Sequence, residues 1–422
     1  MSLPLQLDYS QAISELPECT NYEVTLTPST GATAYVSGGL VKFDFQQRGF
    51  IDPTSLVVRY KYKLASAINA KMIATPAYAP FQRLETLIGS QVVESINQYN
   101  QVVGYLYVNT QMDVSQKYGQ QACLGYFNST VEPSLEELDG RQCVADEEGT
   151  FSMPLVGLLS SSAKLIPAFA MPQISVQLTI DSIANIFCSG TLAVVPTGFT
   201  ITNIELCYNM LDFGRSVEHD ILAMPKLFLK CWSFSNSSAT LGTGLSGSMS
   251  LVYNQKYASV KAAYILGCGT GVTSLNKWGD SFDVTSSNGD YSIMIAGQTY
   301  PQRNLSTLNN KAYVLQELRR ASGNINDKNN NMSINTIEFN KSGIDVTTYN
   351  VPAKFIVGIP LEKLHIPSDK AILTGVSTNN SNITVNINTS TATASAFTVN
   401  LILNYDAIIE VDTQTRDARV RQ

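Results

Sequence analysis

Charged side chains are scarce in this 422-residue chain. Asp, Glu, Lys and Arg make up 15% of it, against roughly 25% in an average soluble domain. The 28 basic residues are outnumbered by 34 acidic ones, giving a net charge of -6, which excludes nucleic-acid binding by bulk electrostatics. Histidine is nearly absent. With only His219 and His365, metal chemistry built on several imidazoles has no ligands. The seven cysteines, Cys19, Cys123, Cys143, Cys188, Cys207, Cys231 and Cys268, form no CxxC pair. Neither a zinc site nor a disulfide framework is supported, and buried free thiols are expected. No long apolar run exists either. The uncharged stretch between Asp181 and Glu205 contains Asn185, Gly190, Pro196 and Gly198, unlike the roughly 20 predominantly apolar residues of a membrane-spanning helix. The opening MSLPLQLDYSQAISELPEC has no basic residue before Lys42 and no apolar core, so no signal peptide is expected.

What is present is alternation. Val58, Tyr60, Tyr62 and Leu64 alternate with Arg59, Lys61 and Lys63, and Ile174, Val176, Leu178 and Ile180 with Ser175, Gln177 and Thr179. Phe43 and Phe45 alternate with Lys42 and Asp44, and Ile383, Val385 and Ile387 with Thr384 and Asn386. Each pattern predicts a strand with one face on a core and one in water, as in antiparallel sandwiches. Helical spacing is rarer. Tyr99, Val102, Val103 and Leu106 mark a helix over 97–107, and Leu308, Ala312, Leu315 and Leu318 one over 304–320, with Gly323 as a stop. A short helix is expected from Ser134 to Gly140. The hydrophobic fraction of 44% supplies a sizeable core, so the chain is not disordered.

The chain also repeats itself at about 200 residues. Leu87-Ile88-Gly89-Ser90-Gln91 reads as strand, tight turn, strand, and so does Met294-Ile295-Ala296-Gly297-Gln298. A helix is expected after each, and glycine supplies the positive φ that such turns demand. Met153-Pro154-Leu155 meets Ile359-Pro360-Leu361. Phe199-Thr200-Ile201 and Cys207-Tyr208-Asn209 meet Phe397-Thr398-Val399 and Asn404-Tyr405-Asp406. Ser37-Gly38 meets Ser246-Gly247. The matches keep their order, so the halves divide in DFGRSVEHDILAMPK. The expected fold is all-β: two tandem eight-stranded antiparallel jelly rolls with a few inserted short helices. Their expected bounds are 1–213 and 227–422, with a linker at 214–226.

At this point the sequence resembles a family, the double jelly-roll major capsid proteins of adenovirus-like and tailless-phage-like icosahedral viruses. Phe81–Leu106 (FQRLETLIGSQVVESINQYNQVVGYL) and Phe151–Pro167 (FSMPLVGLLSSSAKLIP) carry most of the likeness. The resemblance implies a structural protein of the virion, made in the host cell. It implies a homotrimer whose six barrels fill a pseudo-hexagonal lattice position. Expected partners are copies of itself, neighbouring capsomers, and penton and minor capsid proteins. A membrane or genome beneath the shell would meet the termini. The alternatives are a carbohydrate-binding or carbohydrate-active tandem β-sandwich and a viral spike or minor capsid protein.

Candidate chemistry is thin, and no catalytic, cofactor-binding or metal-ligating residue is assigned. A bicupin metal site needs closely spaced histidines, and His219 and His365 are far apart in the chain. His219 sits in the charged RSVEHD segment and reads as a solvated linker position; His365 lies before Ile366-Pro367 and reads as a turn position. The carboxylate pairs Glu136-Glu137 and Glu147-Glu148 point apart, as neighbours on a strand or helix do, and read as loop charges rather than a glycosidase pair. Gly267-Cys268-Gly269-Thr270-Gly271 lacks the lysine and following helix of a phosphate loop and reads as a strand connection. Trp232 and Trp278 are read as core or interface residues, or else a sugar platform. The tail TRDARVRQ, with Arg416, Arg419 and Arg421, reads as a solvated tail or a basic arm. The N-x-S/T sequons at Asn128, Asn236, Asn304, Asn331, Asn340, Asn379, Asn382 and Asn388 are read as compositional.

Overall fold

The structure, a computed structural model, describes residues 18–65, 70–72, 75–119, 121–125, 142–143, 148–188, 198–269, 281–308, 311–323, 332–340, 353–363, 373–393 and 396–422. The expected helix at 134–140 lies outside them. The first barrel is built from β1 (Thr20–Leu26), β2 (Leu40–Asp44), β3 (Val57–Ala65), β4 (Phe81–Ile88), β5 (Gln91–Asn97), β6 (Glu148–Pro154), β7 (Ile174–Ile180) and β8 (Gly198–Asp212). The second follows with β9 (Lys226–Leu241), β10 (Gly247–Tyr253), β11 (Val260–Gly269), β12 (Gly289–Ile295), β13 (Gln298–Ser306), β14 (Val357–Pro360), β15 (Ile383–Thr389) and β16 (Phe397–Asp412). A last strand, β17 (Asp417–Arg421), hairpins back onto β16.

Strand order settles the architecture. One sheet of the first barrel runs β6-β3-β8-β1 and the other β2-β7-β4-β5; the second barrel runs β14-β11-β16-β9 and β10-β15-β12-β13. All of these ladders are antiparallel. In each barrel the eight long strands form two facing four-stranded layers with the same crossovers, a jelly roll; short strands extend the β8 sheet of the first barrel, and β17 that of the second.

The alternating pattern explains why these segments pair this way. Along β3, Val58, Tyr60, Tyr62 and Leu64 are buried while Arg59, Lys61 and Lys63 are exposed. A one-residue slip would turn the whole set outward. Inside, the Tyr62 and Phe151 rings stack at 4.7 Å, and Tyr60 meets Phe81 edge-on at 5.3 Å. Each such fully buried ring contributes roughly 1.5–3 kcal/mol. The repeat turns also differ informatively. Gly89 alone has positive φ in the β4–β5 turn, whereas Ala296 and Gly297 both do in the β12–β13 turn.

The helices required correction. A helical run, α1, comprises Tyr99–Gln101, a π-type segment Val102–Tyr107, and Val108–Gln111. It starts later than 97 because Asn97 still belongs to β5 and Gln98 turns the chain in a left-handed conformation. Residues 304–306 are strand, not helix; α3 begins at Ala312 and ends at Ala321. The Leu308 that suggested a longer helix is exposed. Between the barrels lies α2 (Arg215–Ala223), with no buried residue. The C-terminal tail is no free arm, since Arg419 and Arg421 lie in β17, and Arg421 bonds Glu410. No helix among the described residues is long and apolar enough to cross a membrane.

Candidate functional site

The residues that stand out chemically gather where the two barrels meet. The chain reverses at Gln98, and α1 then carries Val102, Val103, Leu106 and Val108 into full burial. Only glycine fits at 104, where a Cβ would lie 2.9 Å from that of Tyr78. The remaining face of α1 meets the second barrel. Gln101 Nε2 donates to Cys268 Sγ at 3.1 Å, and the Tyr105 hydroxyl lies 3.1 Å from Ser281 Oγ and 3.2 Å from the Ala353 carbonyl. The Tyr107 ring stacks on Trp232 at 6.0 Å and meets Phe234 edge-on at 6.2 Å. The Gln111 amide donates to the Ser322 carbonyl.

Beside α1, the strand edge of β9 is wrapped. Ser161 Oγ donates to the Trp232 carbonyl at 2.6 Å and accepts from the Trp232 N–H at 2.8 Å. Asn236 donates to Gln98 Oε1 at 2.5 Å. The Ser161 bonds satisfy the outward backbone groups of Trp232 on an edge that would otherwise be open for pairing there. The amide of the Asn236 sequon is thus engaged, and the residue is half-buried.

Glu94 on β5 is the buried carboxylate of this seam. Its Oε1 accepts from the Leu158 N–H at 2.7 Å and from the Ser233 hydroxyl, and its Oε2 accepts from Thr86 Oγ1 at 2.6 Å. Burial pushes its pKa up; these three donors pull the other way and only partly offset it. The same burial raises the Cys231 thiol to about 12. Nothing in the sequence pattern marked Glu94, because it sits in an ordinary polar strand position. Its only signal was membership of the Phe81–Leu106 segment.

The other candidates do not converge. His219 lies exposed on α2, and His365, Trp278, Glu136, Glu137 and Glu147 lie outside the described residues. Glu148 is a surface group bonded to Lys63 at 2.7 Å, which holds its carboxyl below the usual range. Gly267, Cys268 and Gly269 are not a connecting loop but the end of β11. A Cβ on Gly267 would lie 2.5 Å from Val284 Cγ2, so the glycine serves close packing. Cys207, Cys231 and Cys268 are buried free thiols, whereas Cys19 and Cys123 are exposed. Among the described residues no group of His, Cys, Asp or Glu could hold a metal ion.

No family model matches the sequence, and no curated protein does. Solved structures do match. VP54 of PBCV-1 superposes with a TM-score of 0.63 at 11% identity, covering 98% of this chain and 99% of that one. The Faustovirus major capsid protein gives 0.63 at 10% identity, with 96% and 92% covered. The mavirus major capsid protein gives 0.57 at 10%, with 100% and 95% covered. These likenesses cover 96–100% of the chain. The chain thus has the double jelly-roll fold of viral major capsid proteins.

Proposed function

We propose that this chain is the major structural subunit of an icosahedral virus shell and performs no catalysis. Its modules are residues 1–213 and 227–422, joined by 214–226; apart from Lys226, which already pairs with Asp412, the barrel ladders stay within one or the other span, which supports this division. Three copies form a capsomer with six barrel outlines, which fills a hexagonal lattice position. Neighbouring capsomers, penton proteins and minor capsid proteins are its partners, and the virion is its location.

The observation that carries this reading is the identical strand order of two barrels locked by a buried seam. A rigid pair of like modules is a tile, and closed cyclic symmetry is the norm for homo-oligomers. The solved structures named above include proteins described as major capsid proteins. The sugar-binding alternative loses its described platform, because Trp232 is stacked on Tyr107 within the seam. Sedimentation of the purified chain tests the proposal: a trimer or larger species is expected, and a monomer at high concentration would overturn it.

A further inference from the structure

The two barrels treat the same corner differently. In the second barrel, β10 and β12 begin and β13 and β15 finish around a cleft of about 410 Å³. It lies at the end away from the linker, since β9 and β16 pair from Lys226↔Asp412 beside the linker to Leu241↔Phe397 here. Asp290, Asn388 and Ser306 share one rung of the sheet, so neighbouring side chains stand roughly 4.5–5.5 Å apart. The Asp290 carboxylate, the Asn388 carboxamide and the Ser246 hydroxyl all line the cleft, and none has a hydrogen-bond or ion-pair partner among the described residues. In the first barrel the twin groups bond within the fold. Arg83 faces Thr179 as Asp290 faces Asn388, and it pairs with Glu85 at 3.5 Å. Ser37, which the repeat aligns with Ser246, donates to the Asp181 carbonyl at 3.0 Å. The Asp181 carboxylate in turn accepts from Asn100 at 2.8 Å and Asn185 at 2.9 Å.

The cleft is built in advance. Buried Asp283 accepts from the Thr285 and Ser287 N–H groups, both at 3.0 Å, and is itself held by Lys311 at 3.1 Å. That clamp keeps Ser286 and Ser287 in left-handed conformations, φ 53° and 64°, which isolated serines avoid. Gly289 follows, where a Cβ would lie 2.1 Å from the Asn388 carbonyl oxygen, so the glycine lets β12 press Asp290 against Asn388. The lining selects the ligand. No basic side chain lines the cleft among the described residues, which disfavours an anion. One carboxylate is too few for a divalent cation that takes 6–8 oxygen ligands. A carboxylate accepts from two hydroxyls, a carboxamide donates and accepts, and a serine does both, which matches neighbouring hydroxyls on a sugar ring. Leu308, 51% exposed at the rim, offers an apolar edge to the C–H face of such a ring. We infer that this cleft is a binding site for a neutral pyranose, with Asp290 and Asn388 as its central contacts. The site is an attribute of the second barrel and stands independently of the assembly reading.

Saturation-transfer NMR on the full chain tests it. The probes are the methyl glycosides of glucose, galactose, mannose, N-acetylglucosamine and fucose, with N-acetylneuraminic acid as the acidic comparison. Transfer to at least one neutral glycoside is expected, with a Kd of about 1 mM, the range open to so small a ligand. Asp290→Ala should weaken it by about tenfold or more while leaving the melting temperature unchanged, because this carboxylate holds nothing in the fold. Thr384→Ala, on the same outward face of β15 but outside the cleft, should bind as wild type does. Three results would overturn the inference: no transfer to any neutral glycoside at about 10 mM, transfer to the acidic sugar alone, or undiminished binding by Asp290→Ala. Should Asp290→Ala fail to fold, Ser246→Trp at an exposed position fills the cleft; loss of transfer is then expected, and undiminished transfer overturns the inference. Sedimentation judges the shell reading separately, so a monomer that binds sugar at this cleft sinks that reading alone.

Discussion

Removing Glu94 in two ways separates its hydrogen bonds from its charge. In Glu94→Ala the Leu158 N–H loses its acceptor inside the seam, and the Ser233 and Thr86 hydroxyls lose theirs. An orphaned buried donor costs about 1–3 kcal/mol, while the two hydroxyls can rotate toward other acceptors. Adding the vacated volume, a net loss of about 2–5 kcal/mol is expected. Glu94→Gln keeps the shape and an oxygen for Leu158 and Ser233, and its NH₂ can donate to Thr86. The sign of the pH effect follows from the raised pKa. The folded state holds the Glu94 proton more tightly than the unfolded state does. Stability from this group is therefore full below the unfolded pKa and is lost as pH rises through the folded one. Glu94→Gln carries no such loss, so its advantage over wild type should grow as pH rises from the ordinary carboxylate range. Denaturant midpoints between pH 4 and pH 8 measure both effects. An alanine variant as stable as wild type, or a glutamine variant with the same pH slope, would refute the reasoning.

Other perturbations have equally definite outcomes. Asp283→Asn removes the partner of buried Lys311, 3.1 Å away; breaking such a pair costs about 3–5 kcal/mol and should appear as a large drop in melting temperature. Gly358→Ala places a Cβ 2.7–2.8 Å from Leu318. Overpacking should cost about 1–3 kcal/mol and loosen α3, read as faster amide exchange over Ala312–Ala321. Trp232→Ala removes the stack with Tyr107 and should destabilise by about 2 kcal/mol, since the ring is only partly buried, read as a lower denaturant midpoint.

Much of the fold was written in the strands. Alternation placed β3, β7 and β15 and their buried faces, and the repeated Gly turns, Pro motifs and Phe–Tyr pairs announced duplicated sheets before any contact was known. The helices were harder. Leu308 fits a helical stripe, yet the backbone stays extended to Ser306 because β13 pairs with β12, a tertiary preference that outweighs local spacing. The seam was least legible. Its contacts join residues 138 and 139 positions apart, Gln98 with Asn236 and Glu94 with Ser233, and no local periodicity records such a pairing. The C-terminal strand was missed for a related reason: its arginines read as solvated charge, but they alternate with Ala418 and Val420, which turn toward the sheet.

Electron microscopy of the purified chain at high concentration addresses the central claim most directly. The account predicts threefold particles of three times 46.0 kDa with six lobes of similar outline, one for each barrel. Two-lobed single chains at every concentration would contradict it.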